Sequence, residues 1–121
     1  DTSGFYMLDI STWECSGSSL GTVRAYILWT STMTSNQSVT WNISVSSHII
    51  GSNYQERGYV HNVIVSTCTA TANNTIQASM NLSGFNPNGG YHTIAVWRDE
   101  DDGSDNLQTA AQILSVRLEE Q

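Results

Sequence analysis

Residues 91–121 read YHTIAVWRDEDDGSDNLQTAAQILSVRLEEQ, and this stretch decides the fold class. Apolar and other residues alternate along Tyr91–Arg98, and again at Leu114, Val116 and Leu118. A period of two that is rich in β-branched and aromatic residues predicts β-strands. An acidic loop connects the two strands. No set of catalytic groups is apparent in this stretch, which predicts the closing strands of a β-sandwich.

The same period recurs through most of the chain. Residues 38–47 (SVTWNISVSS) alternate most regularly, and they predict one core face and one solvent face. Turn signals separate the segments, for example NPNGG at 86–90. Residues 48–58 lack a period and predict a long loop, and a short helix at 107–111 is compatible with the pattern. The other alternating segments are residues 4–14, 23–32, 59–69 and 75–82.

This pattern predicts an all-β fold, a single antiparallel β-sandwich with seven to eight strands. The expected architecture is jelly-roll-like, with an immunoglobulin-type sandwich as the alternative. At 121 residues the chain is long enough for one domain with its own core. We divide it into an N-terminal strand or arm at residues 1–20 and the sandwich at residues 21–121.

The composition limits the partners and the location of the protein. The net charge is −7 and there is no lysine, so phosphate backbones and anionic lipids would repel the surface. We therefore expect neither nucleic acid nor a membrane as a partner. Serine and threonine supply 30 of the residues. A hydroxyl-rich, lysine-free β sequence is typical of virion or extracellular proteins.

Cysteines and sequons are consistent with that location. Cys15 and Cys68 are predicted to form a disulfide, which would stabilise the fold by about 3–4 kcal/mol. Two buried free thiols are the alternative. Four Asn-x-Ser/Thr sequons are candidate glycosylation sites, and all four are expected to be exposed. Their asparagines are Asn36, Asn42, Asn73 and Asn81.

The acidic loop offers two interpretations. Arg98 precedes it, and a guanidinium can bridge the carboxylates of Asp99 and Asp105 and so anchor the loop. Alternatively, its carboxylates could bind Ca²⁺, although the spacing is not that of an EF-hand. The candidate calcium ligands are Asp99, Asp101, Asp102 and Asp105, with Glu100 between them.

Other catalytic or cofactor chemistry is not indicated. His48, His61 and His92 have no metal-ligand spacing with one another or with the cysteines. No Gly-x-Ser-x-Gly motif occurs, and no pair of carboxylates is positioned for glycoside hydrolysis. The sequence predicts a protein that is not an enzyme and needs no cofactor.

The aromatic residues suggest a second class of function. Exposed rings on a β-sandwich can stack on sugars, as in carbohydrate-binding modules. Trp29, Trp41 and Trp97 lie in phase with apolar neighbours and are expected in the core. Trp13, Tyr54 and Tyr59 are the better candidates for exposed rings.

Two stretches together resemble small jelly-roll domains of tailed-phage virion proteins, those of tails, fibres and capsid decoration. They are VRAYILWTSTMTSNQSVTWNISVSS at 23–47 and HTIAVWRDEDDGSDNLQTAAQILSVRLEE at 92–120. The resemblance covers about 100 residues from Thr22 onward. It implies a non-enzymatic module that forms oligomers, and it carries over no catalytic residue. The matching positions are Val39, Trp41, Arg98, Asp99, Asp105, Leu107, Leu114, Val116 and Leu118.

The N-terminal arm lies outside the resemblance and is apolar on both faces. We therefore predict that it is the assembly element and pairs with a neighbouring subunit by strand addition. Its assembly residues are Phe5, Tyr6, Met7, Leu8 and Ile10. The predicted function is structural self-assembly, with other virion proteins or surface glycans as further partners. A carbohydrate-binding or adhesion module is the alternative.

Overall fold

The computed structural model describes residues 5–10, 21–48, 59–86 and 91–121, with only the backbone described for residues 5–10. Seven strands lie in these ranges, and the described residues contain no helix. The residues at 107–111, where a short helix was compatible with the sequence, form an irregular connection. The strands are β1 (Phe5–Ile10), β2 (Val23–Thr30), β3 (Ser38–His48), β4 (Val60–Thr67), β5 (Ile76–Leu82), β6 (Tyr91–Arg98) and β7 (Gln112–Glu120).

The strands form two antiparallel sheets. Sheet I has the order β1-β6-β3-β4, and sheet II has the order β5-β2-β7. The pattern of alternation predicted this class correctly: the protein is all-β, antiparallel and sandwich-like. Within the described part of the chain, no helix is long and apolar enough to cross a membrane.

The core lies between the two sheets. Trp29 on β2 and Trp41 on β3 are fully buried, and their rings meet edge to face with 6.0 Å between the centroids. Such aromatic pairs contribute about 0.5–1.5 kcal/mol beyond the burial of their area. The Nε1 of Trp29 also donates to Ser66 Oγ on β4 at 2.9 Å. These contacts join sheet II to sheet I.

An irregularity in β7 changes which of its residues face the core. Leu28 pairs with Ser115 and Trp29 pairs with Ile113, so Leu114 is an extra residue with no partner on β2. A bulge of this kind reverses the alternation beyond it. Leu114 is 47% exposed, whereas Ile113 packs against the core. The prediction that Leu114 shares a face with Val116 and Leu118 is therefore wrong.

Candidate functional site

The outer face of sheet I has a buried polar centre. Thr40, Asn42, Ser44 and Ser46 of β3 were expected to face solvent, but all four are buried. Larger side chains from the neighbouring strands close over them. The rings of His61 on β4 and Trp97 on β6 lie 6.0 Å apart at 81°, across the middle of β3. The expectation of a solvent face is wrong because the small polar residues of β3 lie between larger side chains of β6 and β4 on the same face, such as Trp97 and His61.

Hydrogen bonds satisfy this polar centre internally. Asn42 Nδ2 donates to Ser44 Oγ at 2.7 Å, so the hydroxyl of Ser44 is left to donate to Nδ1 of His61. A serine beside a histidine could suggest a nucleophile. Ser44 has no exposed surface, however, so a substrate cannot reach its oxygen. The arrangement favours a packing role.

The anchor of the acidic loop is a buried ion pair. Arg98 donates from Nε to Asp105 Oδ2 at 2.9 Å and from Nη2 to Oδ1 at 2.7 Å. Both side chains are 2% exposed. Arg98 also donates to the carbonyl oxygens of Leu107 at 2.8 Å and Thr109 at 2.9 Å. One guanidinium thus fixes the connection between β6 and β7.

Asp99 helps to hold the acidic loop through its backbone N–H. Its N–H donates to the carbonyl of Thr40 at 2.9 Å, while the N–H of Thr40 donates to Asp105 Oδ2 at 3.0 Å. The loop is therefore held to β3 as well as to Arg98. Of the two carboxylates predicted to flank the guanidinium, the structure brings the side chain of Asp105 to it.

The electrostatics follow from this geometry. Burial alone would raise the pKa of Asp105, but hydrogen bonds from Arg98 and from the backbone of Thr40 outweigh it and lower the pKa. The hydrogen bond to Asp105 raises the pKa of Arg98. Both groups are therefore held in their charged forms. The pair acts as an internal clamp.

The calcium candidates do not converge in this loop. Asp105 is engaged by Arg98, and Asp102 Oδ1 accepts from Ser104 N at 2.8 Å and from Thr40 Oγ1 at 3.4 Å. Among the described residues, which include Asp99 and Asp101, no group of three or more acidic, histidine or cysteine side chains could hold a metal. The carboxylates of Asp102 and Asp105 therefore brace the loop.

His48 and His92 have separate hydrogen-bond partners. His48 Nε2 lies 2.7 Å from Thr93 Oγ1. His92 is buried on the core face of β6, where its Nε2 accepts from the N–H of Asn86 at 3.0 Å. Burial, together with the nearby His48, lowers the pKa of His92. His92 is therefore a neutral core residue.

The side chain of Cys68 is buried and is bonded to no other sulfur among the described residues. Its Sγ lies 3.1 Å from the carbonyl oxygen of Ser35 and accepts from the N–H of Gln37 at 3.4 Å. Cys15 lies outside the described residues, and the disulfide stays a prediction.

The four sequons differ in their exposure. Asn36, Asn73 and Asn81 are exposed. Asn42 is 5% exposed, and its amide is engaged with Ser44. The expectation that all four asparagines are exposed is wrong at Asn42, because β3 is buried on both faces.

Among the described residues, the exposed aromatic side chains are tyrosines. Tyr59 precedes β4 and Tyr91 begins β6, and they are 40% and 43% exposed. Trp29 and Trp41 are core residues as expected, and Trp97 is half-buried. Trp13 and Tyr54 lie outside the described residues. The exposed rings of the described residues therefore lie beside sheet I, whereas Tyr26 on sheet II is half-buried beneath Arg117.

An open cleft lies between the start of β2 and the end of β5. Its volume is about 530 Å³, and its lining includes Val23, Leu82 and Phe85. Backbone, hydroxyl and apolar groups make up the rest of the lining, and none of the described lining residues has a titratable side chain.

The sequence analysis did not predict which strands lie at the edges of the sheets. Phe5–Ile10, predicted as the assembly strand, forms β1 and pairs antiparallel with β6 of its own chain, with Met7 opposite Ala95. At the other edge of sheet I, Val63 and Val65 of β4 are each about half exposed. The signal for this edge was present in the sequence, because 60–67 (VHNVIVST) is apolar on both faces and carries no acidic or basic side chain apart from His61.

The chain matches no protein-family model, and comparison with curated proteins and with solved structures finds no significant similarity. Nothing in these comparisons links it to tailed-phage structural proteins. That resemblance stays a prediction.

Proposed function

We propose that this chain is a non-enzymatic structural protein that assembles with copies of itself, as a subunit of a virion fibre, a capsid decoration or an extracellular filament. In the proposed assembly, β1 of one copy pairs with β6 of the next by exchange of the N-terminal strand. Self-association needs no cofactor. Its specificity comes from the register of the exchanged strand.

One observation carries the proposal. β1 is the outermost strand of sheet I and, among the described strands, pairs only with β6. Twelve residues, 11–22, connect it to β2 in the other sheet. A connection of this length can span roughly 40 Å when extended, since each residue adds at most about 3.3–3.6 Å. That reach is sufficient for β1 to pair with β6 of an adjacent copy.

The order of the strands supports a jelly-roll architecture as part of this proposal. In a jelly roll, a long antiparallel ribbon wraps around itself, so that successive strands alternate between two sheets except at one hairpin. Here the chain changes sheet at every step except β3–β4. The pairs β2–β5 and β1–β6 extend outward from that hairpin. This accounts for seven of the eight strands of a jelly roll.

Burial supports a structural role over an enzymatic one. The hydroxyl of Ser44 is inaccessible although His61 is exposed, and Arg98 and Asp105 neutralise each other inside the protein. The described surface also exposes the apolar side chains of Val63 and Val65, which suit a contact with another protein surface. A virion or extracellular location is in keeping with the lysine-free composition and the three exposed sequons.

Strand exchange is tested by cysteines at a pair in the β1–β6 register. Chains carrying Met7→Cys and chains carrying Ala95→Cys are unfolded, mixed and refolded together, then oxidised. Paired residues on antiparallel strands are close enough for a disulfide. Exchange predicts covalent heterodimers on a non-reducing denaturing gel, well above the amount in either variant alone.

The double variant, Met7→Cys with Ala95→Cys in one chain, is the complement. Two copies that exchange β1 reciprocally give covalent dimers, whereas unexchanged copies give a monomer with an internal disulfide. A monomer alone would overturn the exchange. Deletion of residues 1–12 is a further test, because a folded, truncated chain has no β1 to exchange and is expected to lose the oligomers that β1 links. A truncated chain that forms the same oligomers as the full chain would contradict the proposal.

Glycan binding is a second candidate, favoured by the two exposed tyrosines. Tyr59 and Tyr91 lie at the start of β4 and β6, beside the end of β3 at His48. Planar rings at one end of a sheet can stack on sugars. If so, the protein should bind glycans on an array as a monomer. Tyr59→Ala and Tyr91→Ala should each weaken that binding at least tenfold.

A further inference from the structure

The described strands β3, β4 and β5 carry no Asp, Glu, Lys or Arg. Residues 25–55 and 58–97 contain no Asp, Glu, Lys or Arg. These ranges include all of β3, β4, β5 and, up to Trp97, β6. The charged residues of the described strands are Asp9 on β1, Arg24 on β2, Arg98 on β6, and Arg117, Glu119 and Glu120 on β7, which lies at the far edge of sheet II from β5. Two copies of a chain with net charge −7 can therefore approach through β4 with the least repulsion.

β4 also lacks the usual protection of an edge strand. Natural edges carry lysine, proline, a bulge or an inward charge, which block pairing with another sheet. β4 has none of these, and its register with β3 is continuous from Val60 to Thr67. Its second edge has no paired strand among the described strands. Val63 and Val65 are 51% and 48% exposed on the outer face.

We infer that β4 pairs edge to edge with β4 of a second copy, antiparallel and centred on Ile64. This register keeps the outer faces of both copies on the same side, because paired residues in a sheet share a face. Val63 then lies opposite Val65 of the partner subunit, and the two-fold axis repeats the contact. The half-exposed Val63 and Val65 of both copies become neighbours, and sheet I of one copy continues into sheet I of the other.

The other open edges fit this role less well. β7 presents Arg117, Glu119 and Glu120, all exposed. β5 is uncharged, but its exposed residues are Gln77 and Asn81, and the latter is a sequon. Apolar side chains and freedom from charge coincide only at β4 among the described edges. A second copy is thus the occupant that matches its chemistry.

This inference rests on the proposed function in one respect: the β4 contact is the second contact of a filament whose first contact is the exchange of β1. β1 and β4 are the opposite edges of sheet I. A chain with contacts at both edges forms an open array in place of a closed dimer. The β4 contact is small beside the roughly 1,200–2,000 Å² of stable interfaces, so we expect it to depend on protein concentration.

The register is tested by cysteines on β4. Chains with both Val63→Cys and Val65→Cys should form covalent dimers on oxidation. Each single variant should cross-link at least tenfold less, because equivalent residues of the two copies are diagonal neighbours about 7–8 Å apart. A mixture of the two single variants should regain the cross-link. The absence of covalent dimers in the double variant, or equal yields in all variants, would overturn the inference.

The contact between the two β4 strands is also tested by placing positive charges on β4. The double variant Val63→Lys, Val65→Lys should form only pairs linked by β1 in place of filaments. Sedimentation at matched protein concentration measures the size of these assemblies. Leu114→Lys is the matched control, because Leu114 is 47% exposed on β7. The control should assemble as the unmodified chain does. Equal loss in both variants, or no loss in the β4 variant, would contradict pairing at β4.

The two proposals fail in different ways. Cross-links between the Val63→Cys and Val65→Cys positions without cross-links between Met7→Cys and Ala95→Cys would reject strand exchange and leave the β4 contact. The opposite result would leave strand exchange and reject the β4 contact.

Discussion

Trp29 and Trp41 meet edge to face in the core, yet only the first has a hydrogen-bond partner for its indole N–H. Trp29 Nε1 donates to Ser66, whereas Trp41 Nε1 is buried with no partner among the described residues. A buried donor without an acceptor costs free energy, and a satisfied one contributes about 0.5–1.5 kcal/mol. The two tryptophans therefore differ in what their nitrogen contributes to stability.

Trp29→Phe should consequently destabilise the protein more than Trp41→Phe. Both changes remove similar volume, but only the first breaks a hydrogen bond and leaves Ser66 without its donor. We expect the free energies of unfolding to differ by about 1 kcal/mol or more. Urea denaturation of the two variants measures the difference. Equal losses would show that the indole N–H of Trp29 adds nothing net.

The Arg98–Asp105 pair should be sensitive to the loss of one partner. Asp105→Asn leaves the guanidinium charge buried without its counterion, which costs about 3–5 kcal/mol. The exposed pair Arg117–Glu119 provides the control, with side chains 56% and 47% exposed. Glu119→Gln should cost less than about 1 kcal/mol. Similar unfolding midpoints for both variants would contradict the clamp.

Acid should weaken the same clamp. The pKa of Asp105 is lowered in the folded protein, so the unfolded chain binds the proton first as the pH falls. Its contribution is complete above the ordinary value of 3.8 and is lost as the pH falls through the folded pKa. Thermal unfolding of the wild type should show this loss below about pH 4, and Asp105→Asn should not. A parallel decline in both proteins would assign the loss to other groups.

His92 should control stability at a higher pH. Its pKa is lowered by burial and by His48, so the unfolded chain takes up a proton near the ordinary value of 6.5 while the folded protein stays neutral. Stability should therefore fall as the pH drops below about 6.5, by at most about 1.4 kcal/mol per pH unit. His92→Gln keeps an acceptor for the N–H of Asn86 and should flatten this decline. An unchanged slope in the variant would refute the assignment.

Gly84 should not tolerate a side chain. It has φ of 108°, and an added Cβ would lie 2.8 Å from Val60 Cβ and 3.0 Å from Val45 Cβ. Gly84→Ala should destabilise the fold by about 1–3 kcal/mol, because it combines strain with a clash against backbone-fixed atoms. Gly103→Ala is the control, since nothing lies within 4 Å of its added Cβ. The contrast is read from thermal melts of the two variants.

The sequence determined the class of the fold. Apolar alternation located every described strand from β2 to β7 to within a few residues, since the period of two reflects a local preference that each strand carries by itself. It also named Asp99 and Asp105 as partners of Arg98, and the structure pairs the guanidinium with Asp105, because opposite charges on the two sides of a short loop can reach each other. Both results need only local chain geometry.

The tertiary structure decided how the strands are ordered, and with it which faces and edges are open. The polar residues Asn42 and Ser44 are buried because β3 lies between β6 and β4, and alternation within one strand carries no information about its neighbours. Leu114 is exposed because a bulge forms where β7 meets β2. The edge position of β4 depends likewise on pairing between distant segments, so only the assembled sheets could expose Val63 and Val65.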